Sequence, residues 1–342
     1  MNIAITGASG YIGSRLTEKM SAGPNKLRCL VRDKTAFEER FNHPLIEAKE
    51  CDLLKPETLS NKLENIDTAF FLVHSLASDN DFDEDEVACA QNFLNEAINS
   101  GVKRIIYLGG LTAKTDKISR HLSSRLRVGE LLRSSSIECI EFQASIIIGR
   151  GGLSYEIMRN LVERLPAMIT PKWVSSLAQP IWIEDVVDYL SLSIDSHFDG
   201  SRVIQIGGPD KVSYKDLMKE YGRQRGIKRA MISVPVLTPH LSSLWLGLVT
   251  PVYARAGRKL INSLTSDSIV TEKNGMEIFP ITPINYKEAI QNVLKDSETG
   301  PVSRWFDANS SASKTPKKIG FGSKNLSDFK YRFEDTRFVD VQ

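Results

Sequence analysis

The residues best suited to chemistry come at the start of the chain. Thr6-Gly7-Ala8-Ser9-Gly10-Tyr11-Ile12-Gly13 sets three glycines at three-residue spacing directly after the apolar run Asn2-Ile3-Ala4-Ile5-Thr6. Gly7 suits a tight strand-to-helix turn, Gly10 lets a pyrophosphate approach the backbone, and Gly13 lets the helix pack closely on the sheet. A helix opening at such a turn offers backbone N–H groups and a partial positive charge to phosphates. Gly7, Ser9, Gly10, Tyr11, Ile12 and Gly13 are therefore candidates for holding a dinucleotide. The second apolar run ends in Cys29-Leu30-Val31-Arg32-Asp33-Lys34. An acidic side chain there accepts from the ribose 2′-OH of NAD, whereas Arg pairs with the 2′-phosphate of NADP. Arg32 favours NADP(H) over NAD(H), and Asp33 beside it keeps the other choice open.

Elements that would position these residues can be read from periodicity. Short apolar runs at 3–6, 27–31, 46–51, 68–73, 104–108 and 137–148 alternate with helical periods at 11–20, 56–63, 84–98 and 122–132. That alternation predicts a doubly wound parallel sheet, a Rossmann-type α/β fold, with its ligand crevice at the carboxyl ends of the strands. Residues 1–150 are expected to form the dinucleotide-binding domain. A smaller α/β lobe over 151–307, partly interleaved with that sheet, would face the substrate. Its expected elements are helices at 154–165, from Glu184 and at 213–225, and a strand at 202–206. Residues 235–254 lack Asp, Glu, Lys and Arg yet contain Pro235, Pro239 and Pro251, which suits a buried lobe, a pocket lid or a membrane-surface contact. Trp245 within them is read as core. Residues 308–342 read as a polar linker followed by the start of a strand at 331–341.

Composition excludes several classes. A formal net charge of +2 gives no global field for nucleic acid. Four scattered cysteines, without Cys-x-x-Cys, point to a reduced, cytosolic-type compartment. No run reaches the ~18 apolar residues of a spanning helix, so membrane contact would be peripheral. No His/Cys/Asp spacing suggests a metal centre. There is no Gly-x-Ser-x-Gly elbow, and the glycine turn lacks the Lys-Ser/Thr of a triphosphate loop.

The glycine spacing and the Val31-Arg32-Asp33 strand end resemble the atypical branch of the short-chain dehydrogenase/reductase superfamily. Cys51-Asp52-Leu53 matches that superfamily's Asp-hydrophobic pair, which implies that Asp52 and Leu53 border the adenine. A narrower likeness is carried by Phe71-Leu72-Val73-His74-Ser75, by residues 104–111 and by His121-Leu122-Ser123-Ser124-Arg125. Gln179-Pro180-Ile181-Trp182-Ile183-Glu184-Asp185-Val186 and Ile206-Gly207-Gly208-Pro209 extend it. In order, these segments resemble bacterial NAD(P)H-binding proteins related to the 39-kDa accessory subunit of respiratory complex I. The likeness spans roughly residues 1–307. It implies a further helix-grip domain at about the point where this chain stops, absent by nature or by truncation. It also places Val73 and His74 beside the nicotinamide ribose.

Active short-chain reductases carry Tyr-x-x-x-Lys after the fifth strand, with a Ser at that strand's end. Here His121 and Arg125 fill the four-residue spacing, and Gly109 or Gly110 replaces the Ser. Imidazole serves as an acid near neutral pH, but Arg cannot release a proton. The candidate catalytic residues are thus His121, Arg125 and His74. A polar helix face for the first two, and a strand-end hydrogen bond for His74, remain open readings. Two functions follow as expectations. One is an NADP(H)-dependent reductase or isomerase of a lipophilic carbonyl or quinone-like compound. The other is a non-catalytic NADPH-binding module that docks on a protein or membrane surface.

Overall fold

Along β1 (Asn2–Thr6), Ile3 and Ile5 face one core and Ala4 faces another, and none of the three is exposed. A strand buried on both faces needs helices on both sides, which is the condition for a parallel doubly wound sheet. The computed structural model describes residues 1–74, 82–111, 119–234, 266–272 and 275–299, all within the unit Met1–Ser310. After β1 come α1 (Tyr11–Ser21), β2 (Lys26–Val31), α2 (Lys34–Glu38), β3 (Ile46–Glu50) and α3 (Pro56–Leu59). They are followed by β4 (Thr68–Phe71), α4 (Phe82–Asn99), β5 (Arg104–Gly110), α5 (Arg120–Arg133) and β6 (Glu138–Ala144). The sheet order is β3-β2-β1-β4-β5-β6, every pair parallel, and β11 (Arg202–Ile206) adds a seventh strand beside β6. Strand order reverses between β1 and β4, so their carboxyl ends flank the crevice.

Two readings of the sequence change. The apolar run 137–148 is not one strand. β6 ends at Ala144, and β7 (Ile147–Ile148) pairs instead with β10 (Ile181–Trp182). The chain is drawn off the sheet at Ser145, whose hydroxyl meets Ser268 Oγ at 2.6 Å, while Ile146 and Ile148 enter a separate core. The helix expected at 56–63 stops at Leu59, because Asn61 and Asn65 adopt left-handed backbone at φ 60° and 59°. Asn tolerates that region better than most residues, so the turn is locally encoded.

That separate core joins α6 (Leu153–Arg164), α8 (Tyr214–Gln224) and α10 (Tyr286–Thr299) through Ile157, Leu161, Leu217, Tyr221 and Ile290. A parallel pair, β8 (Ala167–Pro171) with β13 (Ala230–Val234), had no counterpart in the periodicity. α7 (Ile183–Leu192) packs on the main sheet beside α1, with Arg15–Glu184 and Lys19–Asp188 ion pairs along their rims. The segment 235–254 with Trp245, the linker and the strand at 331–341 lie outside the described residues. Among the described residues, no helix is long and apolar enough to cross a membrane.

Candidate nucleotide and proton-transfer site

At the tip of β1 the turn is built by close backbone approach. Gly7 has φ +67°, and a Cβ there would lie 2.8 Å from the Leu72 carbonyl oxygen on the neighbouring strand's exit. A Cβ on Gly13 would come within 2.2 Å of Gly7 O, so the helix can sit this close to the turn only as glycine. Gly10 N donates to Gly7 O at 2.8 Å and stands at the start of α1 without a side-chain cap. Thr6 ties the two strands of the switch point together: its hydroxyl donates to Phe70 O at 3.0 Å and accepts from Leu72 N at 3.2 Å. The turn and the exit of β4 are thereby held in register.

Beyond β4, His74 reaches a cluster supplied by three elements. Its Nδ1 lies 3.0 Å from Glu86 Oε1, on the first turns of α4. Ser124 Oγ donates to Glu86 Oε2 at 2.6 Å, and Arg125 Nη1 donates to Oε1 at 3.4 Å. Arg125 also donates from Nη2 to the Leu108 carbonyl at the end of β5 and lies over the Tyr107 ring, 5.3 Å from its centroid. The His121 ring is 4.8 Å from that of His74, tilted by 33°. His121, Ser124 and Arg125 are three and four residues apart, so one face of α5 presents all three. Ser119 caps that helix by accepting from Leu122 N at 3.2 Å, which fixes where the face begins. Burial alone would push the Glu86 carboxyl up. The hydrogen bond and charge of His74, with Arg125 and the Ser124 hydroxyl, outweigh it and hold the group well below the usual carboxylate range. Tyr107 is fully enclosed, donates to Arg125 O at 3.2 Å, and is pushed above the ordinary phenol range by burial.

Residues 7–159 match the family model of NAD(P)H-binding proteins. The chain carries an NAD(P)H-binding domain. Among solved structures, it resembles an NADPH-dependent quinone oxidoreductase from Escherichia coli in complex with NADPH. Identity is 16% and TM-score 0.69, covering 85% of this chain and 99% of that one. Citrobacter sp. triphenylmethane reductase complexed with NADP(H) gives 15% identity and TM-score 0.68, covering 86% of this chain and 100% of that one. The Bordetella bronchiseptica enzyme WbmH in complex with NAD+ gives 13% and 0.65, covering 87% and 98%. At these identities the likeness is one of fold. No curated protein matches the chain in sequence.

The NAD(P)H-binding domain fits a dinucleotide where the glycines make room. A backbone cradle that added Cβ atoms would fill, beside an uncapped helix N-terminus, suits a pyrophosphate. Ser9 is exposed at this turn, and Ile12 is half-buried on the first turn of α1. Tyr11 is buried, its ring under Gly149 and Gly152 and its hydroxyl against the Gly149 backbone, so its side chain braces the lobe. Arg32 is exposed at the tip of β2. Asp33 is the N-cap of α2, accepting from Ala36 N at 2.9 Å, so its carboxylate already has a local donor. Asp52 is half-buried after β3, with Oδ1 accepting from Leu54 N at 3.2 Å, while the buried Leu53 offers its carbonyl to Asn92 at 2.8 Å. Val73 is half-buried just before His74.

Sequence reasoning missed Glu86 and Ser124. A signal for Glu86 was present. Cys89, Ala90, Phe93, Leu94 and Ala97 form the apolar stripe of α4, and Glu86 continues that stripe while its acidic neighbour Glu84 is exposed. A lone carboxylate on a buried stripe requires a partner. The same fold brings His74, Glu86 and His121 together, with ligand-type atoms within 4.8 Å of one another, although their sequence spacing suggested no metal grouping.

Proposed function

We propose that the chain is an NADP(H)-dependent reductase of a lipophilic carbonyl or quinone-like compound, with His74 and His121 as its proton-handling groups. The observation that carries this reading is the paired imidazoles with a buried carboxylate at the carboxyl end of β4, next to the phosphate turn. The fold shared with a quinone oxidoreductase and a triphenylmethane reductase supports the reaction class. Preference for NADP(H) rests on Arg32, the exposed cation at the β2 tip, and on Asp33 being committed to its helix cap.

When bound, the nicotinamide supplies the hydride. Gly7, Gly10 and the first turn of α1 would hold the pyrophosphate, and Arg32 would meet the 2′-phosphate. Asp52 and Leu53 would border the adenine, and the backbone at Val73 and His74 would pass beside the ribose. Imidazole hands a proton to the substrate oxygen as charge develops there, a contribution of roughly 10²–10⁴-fold in comparable acid catalysis. Arg125 has a different duty. Its guanidinium bridges Leu108 O and Glu86, which locks the end of β5 to α4 and α5. That engagement also favours a second reading, a non-catalytic NADPH-binding module akin to the complex I accessory subunit, since the position of the usual relay lysine is structural here.

Stopped-flow oxidation of NADPH with a panel of quinones and enones separates the two. His121→Phe and His74→Phe should each slow turnover by about 10²–10⁴-fold, with NADPH affinity unchanged in His121→Phe. A robust rate that neither substitution lowers removes the histidines from the chemistry. Tight NADPH binding without turnover on the whole panel leaves the module reading in its place.

A further inference from the structure

Glu86 is 2% exposed as a side chain, yet it faces the candidate site rather than a surface ion pair. Both its oxygens are engaged: Oε1 by His74 Nδ1 and Arg125 Nη1, Oε2 by the Ser124 hydroxyl. A carboxylate so enclosed has no free edge for substrate and acts through what it touches. The group it touches that is best exposed is His74, whose side chain keeps 26% exposure, against 11% for Arg125. In a neutral imidazole one nitrogen carries the proton and the other is basic, and the hydrogen bond made by one decides the role of the other.

We propose that Glu86 is a positioning residue that holds His74 as its Nδ1–H tautomer and so presents Nε2 as the atom that exchanges a proton with substrate. The identity of the proton's destination rests on the reductase reading; the tautomer does not. In the direction of reduction, protonated His74 breaks its Nε2–H bond and a new O–H bond forms on the substrate. The two electrons reach the carbonyl carbon as hydride from the reduced dinucleotide. The positive charge leaves the ring, and the neutral Nδ1–H form remains hydrogen-bonded to Glu86. In the reverse direction Nε2 accepts the alcohol proton and the imidazolium forms against a carboxylate already ionised to receive it.

Alternative uses of the same cluster fit less well. A divalent metal shared by His74, Glu86 and His121 would sit beside the Arg125 guanidinium, only 3.4 Å from the ligating oxygen, and like charges repel strongly at such range in a poorly solvated site. It would also require His74 Nδ1 to surrender its carboxylate partner or the ring to turn over. Ser124 deepens the arrangement, because its short bond to Oε2 fixes the carboxylate plane that His74 reads.

Long-range proton–nitrogen correlation NMR on the full chain, labelled with nitrogen-15 histidine, reads the tautomer directly. Signals of His74 are assigned by their loss in His74→Phe. At a pH where the ring is neutral, Nδ1 should show the protonated-type shift and Nε2 the unprotonated type. Glu86→Ala should convert this to a mixture in which the Nε2–H form dominates, while Glu86→Gln, whose amide oxygen still accepts, should retain Nδ1–H. An Nε2–H tautomer in the unmodified chain overturns the proposal without need of any variant. So does an Nδ1–H preference that survives Glu86→Ala. Adding one equivalent of zinc ion should leave the spectrum unchanged; concerted shifts of His74 and His121 would replace the proposal with a metal site. Turnover is not part of this measurement, so a failed tautomer assignment and a failed reductase reading are distinguishable.

Discussion

At the tip of β1 the chain works with backbone alone, and at the exit of β4 it works almost entirely with side chains. The phosphate turn needs seven consecutive residues, and its geometry follows from where Cβ atoms are missing at Gly7 and Gly13. The cluster proposed to transfer protons draws His74, Glu86, His121, Ser124 and Arg125 from the β4 exit and from α4 and α5. One site is local and tolerates no side chain; the other is assembled only by tertiary packing and tolerates no missing partner. On the proposed reading, binding and proton transfer should be separable by substitution, because the two regions share a strand register, through Thr6, but no side chain.

The largest effect should come from the turn. Gly10→Val sets a branched side chain where the pyrophosphate must meet backbone, whereas the fold itself opposes a Cβ there only through Gly7 O at 3.0 Å. Affinity for both NADPH and NADH should fall by about 100-fold or more, roughly 2.7 kcal/mol, with the thermal midpoint little changed. Unchanged NADPH affinity in that variant breaks the backbone half of the comparison.

A smaller effect is expected at the β2 tip. Arg32→Ala removes charge-assisted hydrogen bonds worth roughly 1.5–3 kcal/mol and should weaken NADPH at least about tenfold, while NADH is nearly unaffected. Fluorescence titration with both dinucleotides measures it. Equal losses for the two would mean that Arg32 supports the site's structure rather than the 2′-phosphate.

The smallest effect sharpens the comparison through a second buried carboxylate. Asp185, in the first turn of α7, accepts from Ile284 N at 3.1 Å and, among the described residues, has no cation beside it of the kind Arg125 provides for Glu86. Burial, reinforced by the Asp188 and Glu184 charges and offset only in part by the Ile284 N–H, pushes it up to about 6. Between the ordinary aspartate value and that point the folded chain binds a proton that the unfolded chain has released. Stability from this group is therefore full at acid pH and lost as pH rises through about 6. Asp185→Asn should stabilise the protein by on the order of 1 kcal/mol at pH 7.5, with the gain vanishing below about pH 4. Glu86 behaves with the opposite sign: its contribution is present at neutral pH and declines once pH falls below the usual carboxylate range. Urea midpoints measured against pH test both; a stabilisation of Asp185→Asn that is the same at pH 4 and pH 7.5 would have another cause.

The difference between the two sites also explains what was legible in the sequence. The six strand-helix units and the glycine turn are local patterns, and periodicity exposed them. The run 137–148 misled because apolar continuity does not record that Ser145 leaves one sheet for another. Arg32 and Asp33 were ambiguous until α2 showed the aspartate to be a helix cap. His74, His121 and Arg125 could be named from a resemblance, but their common partner could not. Glu86 lies 12 residues from His74 and 38 from Ser124, so only packing brings them together. The stripe position of a single carboxylate in α4 was the one local clue.

The glycine turn and the β2 tip are together proposed to bind NADP(H). Isothermal titration of the unmodified full chain with NADPH and, separately, NADH tests it most directly. One NADPH should bind per chain, at least about tenfold more tightly than NADH. Absence of binding by either dinucleotide would contradict it.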